Sequence, residues 1–263
     1  MKLMKNTKFV LYIGANDGTI CLPLAEKNKD LFIHAFEPNP ALVKKIKLLK
    51  KKIEKSKNIS INNFKIHQLA VGDKDKSVIL NISKHDKVSS TKKLSKHLDK
   101  AWPGYRKSVF KVVKKKKVKM ITLSNFIKKN SISKILYIHI DTQGNDLNVL
   151  KGLKKYIHKV ESGKMEAAIN IKKAAYENAG ILLKVKKFLL NYNFTIEKIV
   201  KIERVFDNEV DIFFFKKKPF YKKIFKSINS RYYIRLLEDK LYSKDIFFDF
   251  IIKNKNKVIK KFF

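Results

Sequence analysis

The chain has 263 residues, enough for one full hydrophobic core with an appendage, and a formal net charge of +38. Its single cysteine, Cys21, excludes an intrachain disulfide, and the sequence holds neither a Cys/His cluster with metal-ligand spacing nor a G-x-x-x-x-G-K-[ST] phosphate loop. Without a Cys/His cluster we expect no bound metal. No apolar run reaches the length of a membrane span, and with a single cysteine this predicts a cytoplasmic protein.

The positive charge has two interpretations. It indicates a polyanionic partner, such as nucleic acid, an acidic glycan or an anionic membrane, or it reflects codon usage that favours lysine. Only four of the 61 basic residues are arginine, the residue best suited to bidentate phosphate binding, and the lysines are spread over the whole chain. The composition therefore favours codon usage as the explanation of the charge over a polyanionic partner, and nucleic acid is not the expected partner.

The first motif follows a short apolar strand over residues 9–13. A glycine turn comes next, and residues 19–27 are predicted to form a helix. A strand, a glycine turn and a helix together bring backbone N–H groups up to a bound ligand. The residues of this turn are Gly14, Ala15, Asn16, Asp17 and Gly18.

The second motif ends the next predicted strand, residues 31–36, and reads Glu37-Pro38-Asn39-Pro40. An ionised carboxylate at the tip of this strand can accept both hydroxyls of a ribose. Asn39 and Pro40 suit the start of an amphipathic helix over 41–55. The missing glycines of G-x-G-x-x-G disfavour a nicotinamide cofactor, so the two turns predict another nucleoside-type cofactor.

These two motifs, residues 13–18 and 36–40, resemble the FkbM family of S-adenosylmethionine-dependent methyltransferases. The stretch 140–152, which reads IDTQGNDLNVLKG, is similar to the second signature of that family. The resemblance covers residues 9–217 and implies a Rossmann-like class I methyltransferase fold. That fold is a seven-stranded, mostly parallel sheet with a closing antiparallel hairpin and helices on both faces, whereas the alternation of strands and helices alone predicts only an α/β protein.

The resemblance also implies S-adenosyl-L-methionine as the cofactor. The glycine turn would wrap its methionine end, Glu37 would bind the ribose, and Pro38 and Asn39 would lie beside it. A third strand, predicted over residues 64–71, would flank the adenine with its tip. The residues assigned to that tip are Ala70, Val71 and Asp73.

Between residues 74 and 119 the alternating pattern breaks. Short strands predicted over 77–82 and 109–113 enclose a polar stretch, residues 83–108, which is long enough to be either a functional lid or disordered. Trp102 and Arg106 within it favour a lid that faces the substrate. Ser89, Ser90 and Arg106 are the substrate-binding candidates, and a Ser/Thr cluster is otherwise ordinary loop sequence.

The catalytic candidates are polar residues at the ends of later strands. Asp141 follows a buried strand over 135–140 and either orients the acceptor or acts as a base, or else caps the next turn. His139 alternates with Asp141 on the same face, so an Asp–His pair and a hydrogen-bonded core histidine are both open. Gln143 and Glu166, the latter on a strand over 164–169, complete the set.

The remaining pattern predicts further strands over 117–122, 195–200 and 210–215, and helices over 146–156 and 181–192. Ser124 is predicted to cap a helix over 125–130. Residues 218–263 are basic and rich in aromatic side chains. This C-terminal extension either contacts a membrane or an acidic partner, or forms a helical appendage that packs on the methyltransferase domain, residues 1–217.

The predicted function is transfer of a methyl group from S-adenosylmethionine to a hydroxyl of a small molecule or a glycan. One alternative is a nucleic-acid methyltransferase, although the [DN]-P-P-[FY] motif of base N-methyltransferases is absent after the strand over 135–140. Another is a basic, non-enzymatic module that binds polyanions on a Rossmann sheet. The predicted location is cytoplasmic, and peripheral membrane contact through 218–263 is left open.

Overall fold

The fold is taken from a computed structural model, which describes residues 8–102, 106–201 and 208–216. This part of the chain contains ten strands and seven α-helices. The strands are β1 (Lys8–Ile13), β2 (Leu31–Phe36), β3 (Phe64–His67), β4 (Ala70–Gly72), β5 (Lys76–Ser83), β6 (Val112–Thr122), β7 (Ile135–Ile140), β8 (Ser162–Ala168), β9 (Thr195–Lys201) and β10 (Glu209–Phe215). The helices are α1 (Cys21–Lys27), α2 (Pro40–Lys57), α3 (Leu98–Ala101), α4 (Arg106–Phe110), α5 (Leu123–Lys129), α6 (Asp146–Lys151) and α7 (Leu182–Asn191).

The main sheet has seven strands in the order β3-β2-β1-β7-β8-β10-β9. Strands β1, β2, β3, β7 and β8 run parallel, and β10 is antiparallel to both of its neighbours. The strand order reverses between the neighbouring strands β1 and β7, since β2 and β3 follow on one side and β8 on the other. In an open α/β sheet this switch point opens the crevice in which ligands bind, beyond the carboxyl ends of the strands. The predicted sheet with its closing hairpin is confirmed.

The central strands of the main sheet are buried because helices pack against it. All six residues of β7 are buried, and so is β1 after its first residue. Alternate residues of β1, β7, β8 and β10 pack on one face against apolar side chains of α5, α6 and α7. Helices α1 and α2 pack beside β2 and β3. Because helices cover the sheet, its central strands β1 and β7 are made mostly of apolar residues.

A second sheet of three strands, in the order β4-β6-β5, corrects two predictions. The predicted third strand, residues 64–71, is two strands: β3 ends at His67, and β4 joins the second sheet. The predicted strands 109–113 and 117–122 are also wrong in their bounds. Residues 112–122 form one long strand because β5 pairs with β6 over nearly its whole length, while Val109 and Phe110 belong to α4.

Two helix boundaries also differ from the prediction. The cap of α5 is Thr122 instead of Ser124, since the Thr122 hydroxyl accepts a hydrogen bond from the Asn125 N–H at 3.3 Å and Ser124 is already helical. The α-helix predicted over 146–156 ends at Lys151. Gly152 lies against the Gly72 carbonyl, where a Cβ would stand 2.1 Å from that oxygen, and the chain turns there into a 3₁₀ helix. The basic aromatic extension, residues 218–263, lies outside the described residues.

Candidate active site

The turn after β1 is held tightly against both neighbouring strands. The N–H groups of Gly14 and Ala15 donate to the Phe36 carbonyl at 3.0 and 2.9 Å, and the Asp141 N–H donates to the Ile13 carbonyl at 2.9 Å. Gly14 has φ +85°, and a Cβ added there would stand 1.8 Å from the Asp141 carbonyl oxygen. Only glycine fits here, where the turn after β1 passes between the ends of β2 and β7.

Glu37 lies at the carboxyl end of β2, and the backbone holds both of its carboxylate oxygens. One oxygen accepts the Asn16 N–H and the other the Asn39 N–H, each at 2.9 Å. Burial raises the pKa of Glu37 to about 7, while these two N–H bonds act in the opposite direction. Each oxygen keeps a second acceptor direction, so the ionised carboxylate can still receive two ribose hydroxyls.

The remaining residues of the two turns shape the backbone. Asn16 has φ +50°, and its side-chain oxygen accepts the Asp17 N–H at 2.8 Å. The Asp17 carboxylate accepts both the N–H and the hydroxyl of Thr19. Asn39 caps α2 by accepting the Ala41 N–H, and Pro38 is half-buried between Glu37 and this cap. Their assigned cofactor roles stay predictions.

The predicted adenine contacts rest on a premise that the structure corrects. Because β3 ends at His67, Ala70, Val71 and Asp73 do not form its tip. Ala70 and Val71 are buried, and the Val71 carbonyl accepts a hydrogen bond from the Asn145 side chain at 2.9 Å. The residue that directly follows β3 is Gln68, which is exposed.

The loop after β7 is organised by Asp146. Its two carboxylate oxygens accept the Thr142 N–H at 2.9 Å and the Gly144 N–H at 3.1 Å. Burial raises the pKa of Asp146 to about 6, helped by the nearby charge of Asp141. Asp146 therefore fixes the loop, and Asp141 is left half-buried at the edge of the crevice.

Gln143 connects the predicted catalytic residues. Its side-chain nitrogen lies 2.8 Å from Asp141 and 3.3 Å from Glu166, so one amide group donates to two carboxylates. On its other side, the Gln143 side-chain oxygen lies 3.1 Å from the Tyr176 hydroxyl. The structure thus brings Asp141, Gln143 and Glu166 together, and their catalytic role stays a prediction.

Glu166 belongs to a row of charged side chains on β8 and β10. It lies opposite Asp211, whose carboxylate forms a 2.7 Å ion pair with Lys164. Burial raises the pKa of Glu166 well above its ordinary value, and the charge of Asp141 adds to this. Burial alone would lower the pKa of Lys164, but Asp211 and Glu166 outweigh it and raise that pKa.

His139 is buried on β7, and its ring stacks on Tyr12 with centroids 4.1 Å apart and planes at 14°. It lies opposite Tyr12 on one side and Lys164 on the other in the strand register. This ring contact corresponds to the packed-histidine interpretation of the sequence. The catalytic role of His139 stays a prediction.

The serine candidates of the 83–108 segment bind the protein's own backbone. The Ser90 hydroxyl, buried, donates to the Gln143 carbonyl at 2.6 Å, and the Ser89 hydroxyl accepts the Ser83 N–H at 3.1 Å. Trp102 is buried and packs edge-on against Phe110. Arg106 begins α4, and residues 103–105 lie outside the described ranges. The lid and the substrate contacts stay predictions.

Sequence reasoning missed three residues of this site: Tyr176, Lys164 and Asp211. Tyr176 precedes α7 in a segment without regular secondary structure, and no local pattern marks it. Lys164 and Asp211 meet only because β10 runs antiparallel to β8. A signal did exist for Asp211, since it is a charged residue inside the otherwise apolar run of β10.

This sheet order, with a glycine turn after β1 and a backbone-held carboxylate after β2, defines a Rossmann-like protein that is built to hold a nucleoside cofactor. The model of the methyltransferase FkbM domain matches residues 13–196. The chain therefore belongs to the FkbM methyltransferase domain family. S-adenosylmethionine is the cofactor of this family and fold, which confirms the predicted family, fold class and cofactor.

Solved structures similar to this chain include a methyltransferase FkbM from Methylobacillus flagellatus KT, with 13% identity, a TM-score of 0.49, and coverage of 79% of this chain and 44% of that one. Another is M. capricolum TrmK in complex with S-adenosyl-homocysteine, with 14% identity, a TM-score of 0.43, and coverage of 82% and 66%. Aeropyrum pernix fibrillarin with natively bound S-adenosyl-L-methionine shows 9% identity, a TM-score of 0.42, and coverage of 80% and 67%.

The chain thus spans less than half of the first of these structures and about two thirds of the other two. Comparison with curated proteins gives no significant match. Within the described ranges, no helix is long and apolar enough to cross a membrane, and no group of three His, Cys, Asp or Glu side chains could hold a metal ion.

Proposed function

We propose that the protein transfers a methyl group from S-adenosylmethionine to a hydroxyl of a small molecule or a glycan. The observation that supports this proposal most directly is that two carboxylate sites lie on the side of the sheet where the parallel strands have their carboxyl ends. Glu37, held by the Asn16 and Asn39 N–H groups, lies beyond β2. Asp141 and Glu166, bridged by Gln143, lie beyond β7 and on β8.

The residues present fit the cofactor. The glycine turn offers a close backbone approach, and Glu37 offers two free acceptor directions for the ribose hydroxyls. When bound, the cofactor supplies an electrophilic methyl group on a sulfonium. The contribution of the protein is then to align the acceptor with that methyl group and to take up its proton.

We assign Glu166 as the base that takes up the proton of the acceptor hydroxyl. Burial and the charge of Asp141 raise the pKa of Glu166, which makes its ionised form a stronger base than an ordinary carboxylate, and it is this ionised form that would accept the proton. Asp141 lies at the mouth of the crevice, next to the glycine turn, and would orient the acceptor hydroxyl. Gln143 keeps the two carboxylates at a fixed separation.

The test is calorimetric titration of S-adenosylhomocysteine into the wild type and Glu37→Ala. We expect micromolar binding by the wild type and a loss of ten-fold or more in the variant. Removing a hydrogen bond to a charged group costs about 1.5–3 kcal/mol, which is roughly a factor of ten to one hundred in affinity.

Asp30→Asn is the matched control, because Asp30 is an exposed acid that precedes β2 at the opposite end from Glu37. This variant should bind as tightly as the wild type. Equal affinity in the wild type and Glu37→Ala would show that the ribose contact is misassigned. No binding to the folded wild type would remove the proposed activity altogether.

A nucleic-acid methyltransferase is the second candidate, and the exposed lysines of one strand favour it. Strand β6 carries five exposed lysines, which are Lys114, Lys115, Lys116, Lys117 and Lys119. Retention of RNA that weakens steeply between about 50 and 200 mM salt would support this candidate. RNA binding no stronger than that of a lysozyme-sized basic control protein would reject it.

A further inference from the structure

A cavity of about 280 Å³ lies outside the crevice at the strand ends. Its walls come from β5, β6, residues 88–94 and Tyr176. The volume is just below the ~300–1,000 Å³ of typical small-molecule sites, which suits a ligand about as large as one sugar ring. Neither the glycine turn with Glu37 nor the Asp141–Glu166 pair lines this space.

Two residues of the cavity wall touch the loop that carries the catalytic candidates. The Ser90 hydroxyl donates to the Gln143 carbonyl at 2.6 Å, and the Tyr176 hydroxyl lies 3.1 Å from the Gln143 side-chain oxygen. A ligand in the cavity is therefore separated by one layer of side chains from Gln143, which bridges Asp141 and Glu166. The cavity is placed to hold a part of the acceptor away from the reacting hydroxyl.

The charge of the cavity is one-sided. Lys92, Lys93 and Lys115 line it, and no acidic residue does. Among the described residues, none of these three ammonium groups has an ion-pair partner within 4.0 Å. Lys92 is half-buried, and burial lowers its pKa although Asp73 and Asp146 act against this. An anion in the cavity would supply the missing countercharge.

We propose that this cavity binds an anionic group, a carboxylate or a phosphate, on a sugar-sized unit of the methyl acceptor that lies away from the reacting hydroxyl. Lys92 and Lys115 of the cavity lining hold the anion, and Val88 and Leu94 of the same lining contact the apolar face of the ring. This assignment rests on the proposed methyltransferase function for its biological meaning, while the anion site itself can be tested alone.

The experiment titrates glucuronate, glucose 6-phosphate and glucose into the full chain loaded with S-adenosylhomocysteine. The test variant is Lys92→Gln/Lys115→Gln. The matched control is Lys117→Gln/Lys119→Gln, which removes the same charge from the same face of β6, outside the cavity. Thermal unfolding verifies that both variants are folded, as expected for exposed or half-buried lysines.

We expect at least one anionic sugar to bind ten-fold more tightly than glucose, and the test variant to lose ten-fold or more of that affinity. The control should stay within two-fold of the wild type. Preference for glucuronate identifies a carboxylate, and preference for glucose 6-phosphate identifies a phosphate. Affinity equal to that of glucose, equal losses in both variants, or no saturable binding by any probe would overturn the proposal.

Titration of S-adenosylhomocysteine into the same proteins separates the two proposals. Both lysine variants should bind it like the wild type, because the cavity does not include the glycine turn or Glu37. If the protein binds the anionic sugar but does not bind S-adenosylhomocysteine, the cavity assignment stands and the proposed function is refuted. The reverse pattern would refute the cavity assignment alone.

Discussion

The two halves of the candidate site are built on different principles. The cofactor half, residues 14–18 with Glu37, is held by backbone N–H groups from two adjacent loops. The acceptor half, residues 141–146 with Glu166 and Tyr176, is held largely by side chains from three separate segments that touch each other. A backbone frame depends on local conformation, whereas a side-chain network depends on the whole topology.

This difference predicts where each half is vulnerable. In the cofactor half a single added carbon should be the most damaging change, because the backbone has no room to give. In the acceptor half the damage should come from charge, because three carboxylates face one lysine there.

Gly14→Ala should destabilise the fold by about 3 kcal/mol or more. The new Cβ would stand 1.8 Å from the Asp141 carbonyl oxygen, and φ +85° is strained for any residue with a Cβ. Urea unfolding measures the loss. Gly18→Ala is the matched comparison, with a similar φ of +81° but its nearest neighbour the Ile46 side chain at 3.0 Å. It should lose only about 1–2 kcal/mol, and equal losses would contradict the tight fit at Gly14.

Glu166→Gln should change how stability depends on pH. In the wild type, folded Glu166 keeps its proton at pH values where the unfolded chain has lost it. Stability therefore falls as pH rises above about 4.5 toward the raised pKa, by up to about 1.4 kcal/mol per pH unit. Glu37 and Asp146, whose pKa values are also raised, cause a fall of their own, so the variant should show a shallower fall than the wild type, and denaturant unfolding from pH 4.5 to 8 measures the difference.

Glu54→Gln is the control for that series. The Ile61 N–H lowers the pKa of Glu54, so its contribution is lost only as pH falls below about 4.5. Above that value its stability curve should run parallel to that of the wild type. If Glu166→Gln also runs parallel, Glu166 is not the buried, proton-holding carboxyl described above.

Tyr176→Phe should have the smallest effect. Its hydroxyl lies 2.7 Å from the Val88 carbonyl and 3.1 Å from the Gln143 side-chain oxygen, so its loss should cost about 1 kcal/mol of stability. Tyr192→Phe, at an exposed position, should cost less than about 0.5 kcal/mol. Neither change should alter S-adenosylhomocysteine affinity. A several-fold loss in Tyr176→Phe would show that the two halves are coupled.

The cofactor half could be predicted from sequence because its signals are local. Gly14, Gly18 and Glu37 all lie next to the strand that positions them, and the strand, turn and helix pattern marks each one. Asp141 and Gln143 were predictable for the same reason. Glu166 was found as a lone acid on an apolar strand, and the structure adds its contact with Gln143.

Predictions failed where tertiary contacts override local pattern. The break after His67 depends on β4 pairing with β6, some 50 residues away, so the tip of β3 was misplaced. Thr122 replaces Ser124 as the cap because Asp75 accepts the Thr122 N–H at 2.8 Å and fixes the end of the strand. Tyr176 reaches Gln143 only through the folded topology, and no spacing in the sequence indicates that contact.

The central claim is that Glu37, as a carboxylate, binds the ribose of the cofactor. Its pKa of about 7 makes this directly measurable, because only the ionised form accepts both hydroxyls. The measurement is S-adenosylhomocysteine affinity from pH 5.5 to 8.5 in the wild type and Glu37→Gln. We predict that wild-type affinity falls as pH drops below about 7, approaching ten-fold per unit, while the variant stays flat. The same pH profile in both proteins would contradict the claim.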